Sequence, residues 1–295
     1  MTAKGHNKFA ALKKMSLFTK PSSVLKSVAA GILMLAVSTP VTQAQSNNIV
    51  ESVTENSAQG RVSLGGGSDC NRIENVTSPV RAGQQAFKHW VDRCGKRAEL
   101  EMKPTKIGET YWLGWSMYVP TGWANSSDWY DIVAQWATYP PSLNRKFKEQ
   151  GCGAVGSYMV IHGDTLRFHH QHQGQTTDTQ CDKYVLGNIN DIKGKWIDFV
   201  MHSKWTGNSD GFLKLWMKVG NDAYVQTVNY TGSTFWNDEG RGPYFKMGIY
   251  KGNTNWKGPG APRYLYTDEY RLGNGDSSFA GVAPGNAKGY FGQAY

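Results

Sequence analysis

Tyr244-Phe245-Lys246-Met247-Gly248-Ile249-Tyr250 is the stretch whose reading decides both fold and function. Successive side chains of a β-strand point to opposite faces. Phe245, Met247 and Ile249 then point together into a core. Tyr244, Lys246 and Tyr250 share the other face, with Gly248 as a gap between the phenols. A strand that only packs has no need of a lysine and two phenols over a bare glycine. The pattern suits a floor on which a polar, anionic ligand lies.

The same alternation recurs outward from this strand. In Arg97-Ala-Glu-Leu-Glu-Met102, Ala98, Leu100 and Met102 face inward and Arg97, Glu99 and Glu101 outward. Strands are also expected over Tyr111–Val119, ending at Pro120, over Trp129–Thr138, and as a hairpin over Ser157–Gln173 turning at Gly163-Asp164. Trp196–Trp205, Phe212–Val219 and Tyr264–Leu272 complete the set. Only Pro79–Trp90 offers room for a short helix. Many short strands broken by Gly, Pro and Asn turns, with no internal repeat, indicate an all-β sandwich or jelly roll. One sheet of such a fold would carry the outward residues on a concave face.

The chain divides before this region begins. Residues 27–38 form an apolar run too short to span a bilayer. Lysines precede it and Thr42-Gln43-Ala44 follows, so residues 1–44 read as a secretory signal peptide. Residues 45–68, polar and ending in Gly65-Gly66-Gly67-Ser68, read as a flexible linker or tail, and 69–295 as one folded domain. Six of the 32 basic residues and none of the 23 acidic ones lie in residues 1–44. Without that segment 26 basic face 23 acidic residues, a net charge of +3 rather than +9. A basic chain suggests nucleic acid, but here most of the excess sits in the leader. The expected protein is therefore secreted or periplasmic, monomeric, and without nucleic-acid or membrane partners in its mature form. Its four cysteines, Cys70, Cys94, Cys152 and Cys181, suit two disulfides in an exported protein. Of the three pairings, Cys70–Cys94 with Cys152–Cys181 closes the shortest loops.

The outward residues form a chemical set: Arg97 with Glu99, then Gln135, then Lys246 with Tyr250. When a proton is removed beside a carboxylate, charge builds on that carboxylate, and an arginine and an amide can stabilise it. A tyrosine can carry the proton where a cation such as Lys246 favours its phenolate. These are the parts required for β-elimination at a uronic acid.

Arg97-Ala-Glu-Leu, Ala134-Gln135-Trp136 and Tyr244–Tyr250 occur in the order seen in jelly-roll polysaccharide lyases. The third resembles the Tyr-Phe-Lys-x-Gly-x-Tyr strand of alginate lyases. The wider run from Cys70 to Gly273 is more similar to the heparin lyase I and glucuronan lyase group. That run includes Gly114-Trp115-Ser116, Gly194–His202 and Asp210–Trp216. The resemblance implies a concanavalin A-like β-jelly roll that cleaves an acidic polysaccharide to unsaturated uronate ends. By match, Arg97 and Gln135 neutralise the carboxylate, Tyr250 is the catalytic phenol and Lys246 contacts substrate, with Tyr244 and Glu99 beside them. These families place a histidine two residues after the glutamine, where this chain has Ala137. His169, His170, His172 and His202 are the candidates to replace it, with His202 and His170 favoured. Otherwise Tyr250 acts alone, or the protein only binds carbohydrate.

Loss of that histidine favours a syn substrate. In glucuronate and mannuronate the C5 proton and the leaving O4 are syn, and one residue can serve both. In guluronate and iduronate they are anti. Glucuronan, ulvan or polymannuronate are therefore expected, with a heparin or guluronate lyase using a relocated histidine as the alternative. In Phe168-His169-His170-Gln171-His172, His170 and His172 share a face and could hold a metal, but in a sugar groove they are read as hydroxyl-binding. No cofactor is expected to be required, with a structural calcium left open. Asp268-Glu269 could suggest a hydrolase carboxylate pair, but adjacent strand residues face opposite ways, which argues against a two-carboxylate glycosidase.

Overall fold

The computed structural model describes residues 48–53, 61–65, 68–138, 156–173, 179–237, 241–252 and 262–285, all within the unit Pro40–Tyr295. The leader 1–44 and Cys152 lie outside them. The described strands are β1 (Ile49–Val53), β2 (Arg61–Gly65), β3 (Asn71–Val76), β4 (Ala86–Val91), β5 (Arg97–Lys106), β6 (Thr110–Tyr118), β7 (Tyr130–Ala137) and β8 (Ser157–His162). They continue with β9 (Thr165–Gln173), β10 (Thr179–Asn188), β11 (Trp196–Lys204), β12 (Phe212–Val219), β13 (Val225–Thr231), β14 (Arg241–Lys251) and β15 (Arg263–Gly273). Two single-turn helices, α1 (Ile189–Ile192) and α2 (Phe279–Val282), complete the elements. No helix among the described residues is long and apolar enough to cross a membrane.

The strands form two antiparallel sheets, a β-jelly roll. One has the order β13-β12-β11-β6-β15-β4-β3, with β1 beside β15; the other runs β10-β9-β8-β7-β14-β5-β2. Residues of one parity from each strand meet between them. Ala98, Leu100 and Met102 of β5 and Phe245, Met247 and Ile249 of β14 are buried against Leu113, Trp115 and Met117 of β6 and Ile197, Phe199 and Met201 of β11. Trp115 stacks on Phe199 with centroids 4.8 Å apart and meets Phe245 at 5.0 Å. Each such side chain contributes about 1.5–3 kcal/mol on burial, so the core fixes which face of β5, β7 and β14 is left for other uses.

Three expectations are corrected. The segment 45–68 carries strands β1 and β2. Val53 is fully buried, and the Glu51 carboxylate accepts hydrogen bonds from the Lys103 amide (2.8 Å) and the Tyr270 hydroxyl (3.1 Å). Gly65 lies opposite Arg97 in the ladder, where a β-carbon would stand 3.0 Å from the Arg97 side chain. Its glycine makes room for the guanidinium arm. Second, Pro79–Trp90 holds no helix. It ends in β4, where Phe87, His89 and Val91 alternate inward. Third, Asp268 and Glu269 do not sit on a regular strand. Glu269 adopts φ +60° at a register shift against β6. Asp268 accepts from the Arg81 amide and Glu269 from Arg271, both buried in the eight-stranded sheet. The disulfide Cys70–Cys94 is present.

Candidate active site

The seven-stranded sheet turns its non-core face away from the sandwich, and the ladder aligns one polar residue from each of six strands there. Glu101 of β5 pairs with Lys246 of β14, Lys246 with Gln135 of β7, and Gln135 with Tyr158 of β8. Tyr158 pairs with His169 of β9, and His169 with Lys183 of β10. Four residues along β14, Tyr250 pairs with Arg97 on one side and Ile132 on the other. Ile132, Tyr158 and Val160 form an apolar patch on which Tyr130 and Tyr250 pack. The structure thus brings together Arg97, Glu99, Gln135, Tyr244, Lys246 and Tyr250 on one face, as the alternation of β5, β7 and β14 requires.

The electrostatics run through Glu99. Gln135 donates its amide to Glu99 Oε1, and Lys246 Nζ lies 4.0 Å from Glu99 and 3.5 Å from Glu101. Lys246 is buried, not a solvated edge lysine. Arg97 does not pair with Glu99; its guanidinium lies over the Tyr250 ring, 4.6 Å from the centroid. Arg97, with Lys96 Nζ 5.6 Å from the same centroid, is therefore the cation nearest the expected catalytic phenol, rather than Lys246. Burial pushes the Glu99 carboxyl up to about 7, against the opposing pull of Lys246 and Gln135. Folded Glu99 holds a proton that the unfolded chain releases above its ordinary value of 4.5. Its contribution to stability is complete below that value and disappears as pH rises through about 7. In Glu99→Gln, which keeps the shape and removes the charge, melting temperature relative to wild type should rise progressively from pH 5 to pH 8. An unchanged difference across that range would refute the assignment.

His202 is not part of this site. It lies on β11 of the other sheet, on that sheet's outer surface, stacked on Trp112 at 3.8 Å and packed against Phe212. The core separates it from Tyr250. His170 and His172 also fail as sugar contacts. Leu166 and Phe168 place the even-numbered residues of β9 in the core, and His170 and His172 continue that side, both buried. Of the four candidate histidines, the one that reaches the site face is His169. Its Nδ1 is 2.9 Å from the Tyr158 hydroxyl, and its Nε2 has no hydrogen-bond partner among the described residues. Burial, then the nearby Lys183 and Arg167, push His169 down to about 4, so it is a neutral base at ordinary pH. The Tyr158–His169 pair is the element that sequence reasoning did not assemble, although the apolar Leu166 and Phe168 marked the face of His169. Ala137, where the resemblance led to an expected histidine, is buried opposite Tyr244.

A sandwich of this topology thus carries a cation, an amide and phenols on one sheet face. Residues 47–271 match the polysaccharide lyase family model, and the chain belongs to that family. It is a polysaccharide lyase, and its substrate is a polysaccharide. No curated protein matches it in sequence. Among solved structures it is similar to the endo-β-1,4-glucuronan lyase from the fungus Trichoderma reesei. The TM-score is 0.56 at 20% identity, over 80% of this chain and 94% of that one. It is also similar to the PL-14 alginate lyase from Aplysia kurodai, with a TM-score of 0.52 at 9% identity, over 77% of this chain and 99% of that one. Both likenesses show the fold.

Proposed function

We propose that this lyase cleaves a uronate-containing acidic polysaccharide by β-elimination, glucuronate-type polymers first and polymannuronate next. The observation that carries the reading is the ladder-aligned set Lys246, Gln135, Tyr158 and His169, with Arg97 and Tyr250 beside it. Arg97 and Gln135 receive the C6 carboxylate as charge flows onto it from C5. Tyr250, as its phenolate, takes the C5 proton, the C4–O4 bond breaks, a C4–C5 double bond forms, and the departing O4 receives the hydroxyl proton of Tyr158 from the same side. Tyr158, its hydroxyl held by neutral His169, is the second proton carrier. Both phenols rise from one sheet face and approach a sugar lying on it from one side, which supports syn elimination. The similarity to a glucuronan lyase accords with this substrate, and the lysine-flanked apolar leader supports export.

The test is ultraviolet absorbance of unsaturated uronate on glucuronan, ulvan, alginate, heparin, heparan sulfate and hyaluronan. Glucuronan or ulvan should give the largest rate. His169→Ala should lower kcat by about 10- to 100-fold, at the low end for a proton-transfer group. Iduronate or guluronate cleavage as the main activity would overturn the syn reading. Retention of a polymer without any rise would favour a binding protein, the reading that Ala137 supports.

A further inference from the structure

Behind His169, on the core side of β9, lies a cluster that the proposed reaction does not use. His170 and His172 lie two residues apart on one face, and Asp182 of β10 pairs with His170 in the ladder. One donor atom from each lies within 4.8 Å of the others. His170 is fully buried, and its Nε2 lies 3.2 Å from the Thr234 carbonyl. A carbonyl only accepts, so Nε2 carries the proton and Nδ1 keeps its lone pair. That Nδ1 is buried with no hydrogen-bond partner among the described residues. An orphaned acceptor of this kind is costly unless something occupies it. A histidine that donates one ring nitrogen to a backbone carbonyl and offers the other is the usual arrangement of a metal ligand. Asp182 Oδ2 lies 3.1 Å from His172 Nε2, and the Tyr230 hydroxyl is 3.4 Å from His172 Nδ1.

From this geometry we infer that His170, His172 and Asp182 form a binding site for a zinc-class divalent cation, separate from the sugar-binding face. Two imidazoles and a carboxylate suit zinc, whereas calcium takes oxygen ligands. Zinc would draw the three donor atoms to about 3.3 Å from one another. Asp182, 42% exposed, has the freedom to close that distance by exchanging its hydrogen bond to His172 for the metal. β10 is the edge of the seven-stranded sheet. A cation here would tie β9 to that edge strand and hold β9, whose opposite face carries His169.

The experiment is zinc titration of the chelator-treated protein, with metal content, cobalt(II) ligand-field absorption and melting temperature as readouts. One zinc per chain is expected. At a hundredfold excess over the dissociation constant, zinc should shift the folding equilibrium about a hundredfold, and calcium should not. Asp182→Asn, at a half-exposed position compatible with folding, should weaken zinc by about tenfold or more and alter the cobalt spectrum. His172→Ala should do the same. Failure of wild type to bind stoichiometric zinc at micromolar concentration, or unchanged affinity in Asp182→Asn, would overturn the site.

Discussion

Replacing Tyr250 with phenylalanine is expected to lower kcat by about 10²- to 10⁴-fold, the range for loss of a proton-transfer group, with the fold intact. The ring itself is the structural part of this residue. It packs on Ile132, Tyr158 and Val160 and lies under the Arg97 guanidinium. Phenylalanine keeps the ring, so those contacts survive and melting temperature and KM should change little. Only the hydroxyl is lost, and in the proposed reaction its oxygen takes the C5 proton. Comparison with Tyr158→Phe assigns the roles. If Tyr250 is the principal carrier, its variant is the slower of the two by at least about tenfold. If Tyr158→Phe is slower, the Tyr158–His169 pair is the base and Tyr250 the donor to O4. Retention of more than about a tenth of the wild-type rate by Tyr250→Phe would remove it from the mechanism.

Where the alternation of a strand is anchored by apolar residues, the sequence sufficed. Ala98, Leu100 and Met102, or Phe245, Met247 and Ile249, leave only one face for Arg97, Lys246 and Tyr250. The β9 histidines depart from expectation for a related reason. Polar type suggests the outer face, while Leu166 and Phe168 continue in register into His170 and His172. Register outweighs polarity when a buried polar group can find partners, as His170 finds Thr234. His202 could not be excluded from sequence, because strand periodicity says which face a residue takes but not which sheet. β1 and β2 are only five residues each and lie in a largely polar stretch. Their stability comes from ladder pairing with β15 and β5, which local propensity does not record. The ladder that brings Tyr158 beside Gln135 also depends on register shifts in β7 and β14, which no period-2 reading contains.

One of those shifts carries the second large effect. Gly248, read from sequence as a bare patch between phenols, has φ +136°, where an L side chain is strained. A β-carbon there would not point onto the candidate site face. It would stand 2.2 Å from the Ala98 carbonyl oxygen and 2.5 Å from His89 Nδ1. Those two atoms form a 3.0 Å hydrogen bond that links β4 of one sheet to β5 of the other, and Thr267 Oγ1 lies 2.7 Å from His89 Nε2. Gly248→Ala must therefore displace a buried inter-sheet contact as well as adopt a strained backbone. The expected loss is roughly 3–5 kcal/mol, or about 10 °C in melting temperature for a chain of this size. Gly108→Ala is the control: φ is +84° there but nothing lies within 4 Å of the added carbon, so only backbone strain of about 1–2 kcal/mol applies. Gly248 also lies within the Met247/Tyr250 register shift against β7, which sets where Tyr250 meets Ile132. The folded fraction of Gly248→Ala should accordingly lose kcat, whereas Gly108→Ala keeps it. Equal melting temperatures for the two variants would show that β14 can flatten at Gly248, and that the bulge is not what positions Tyr250.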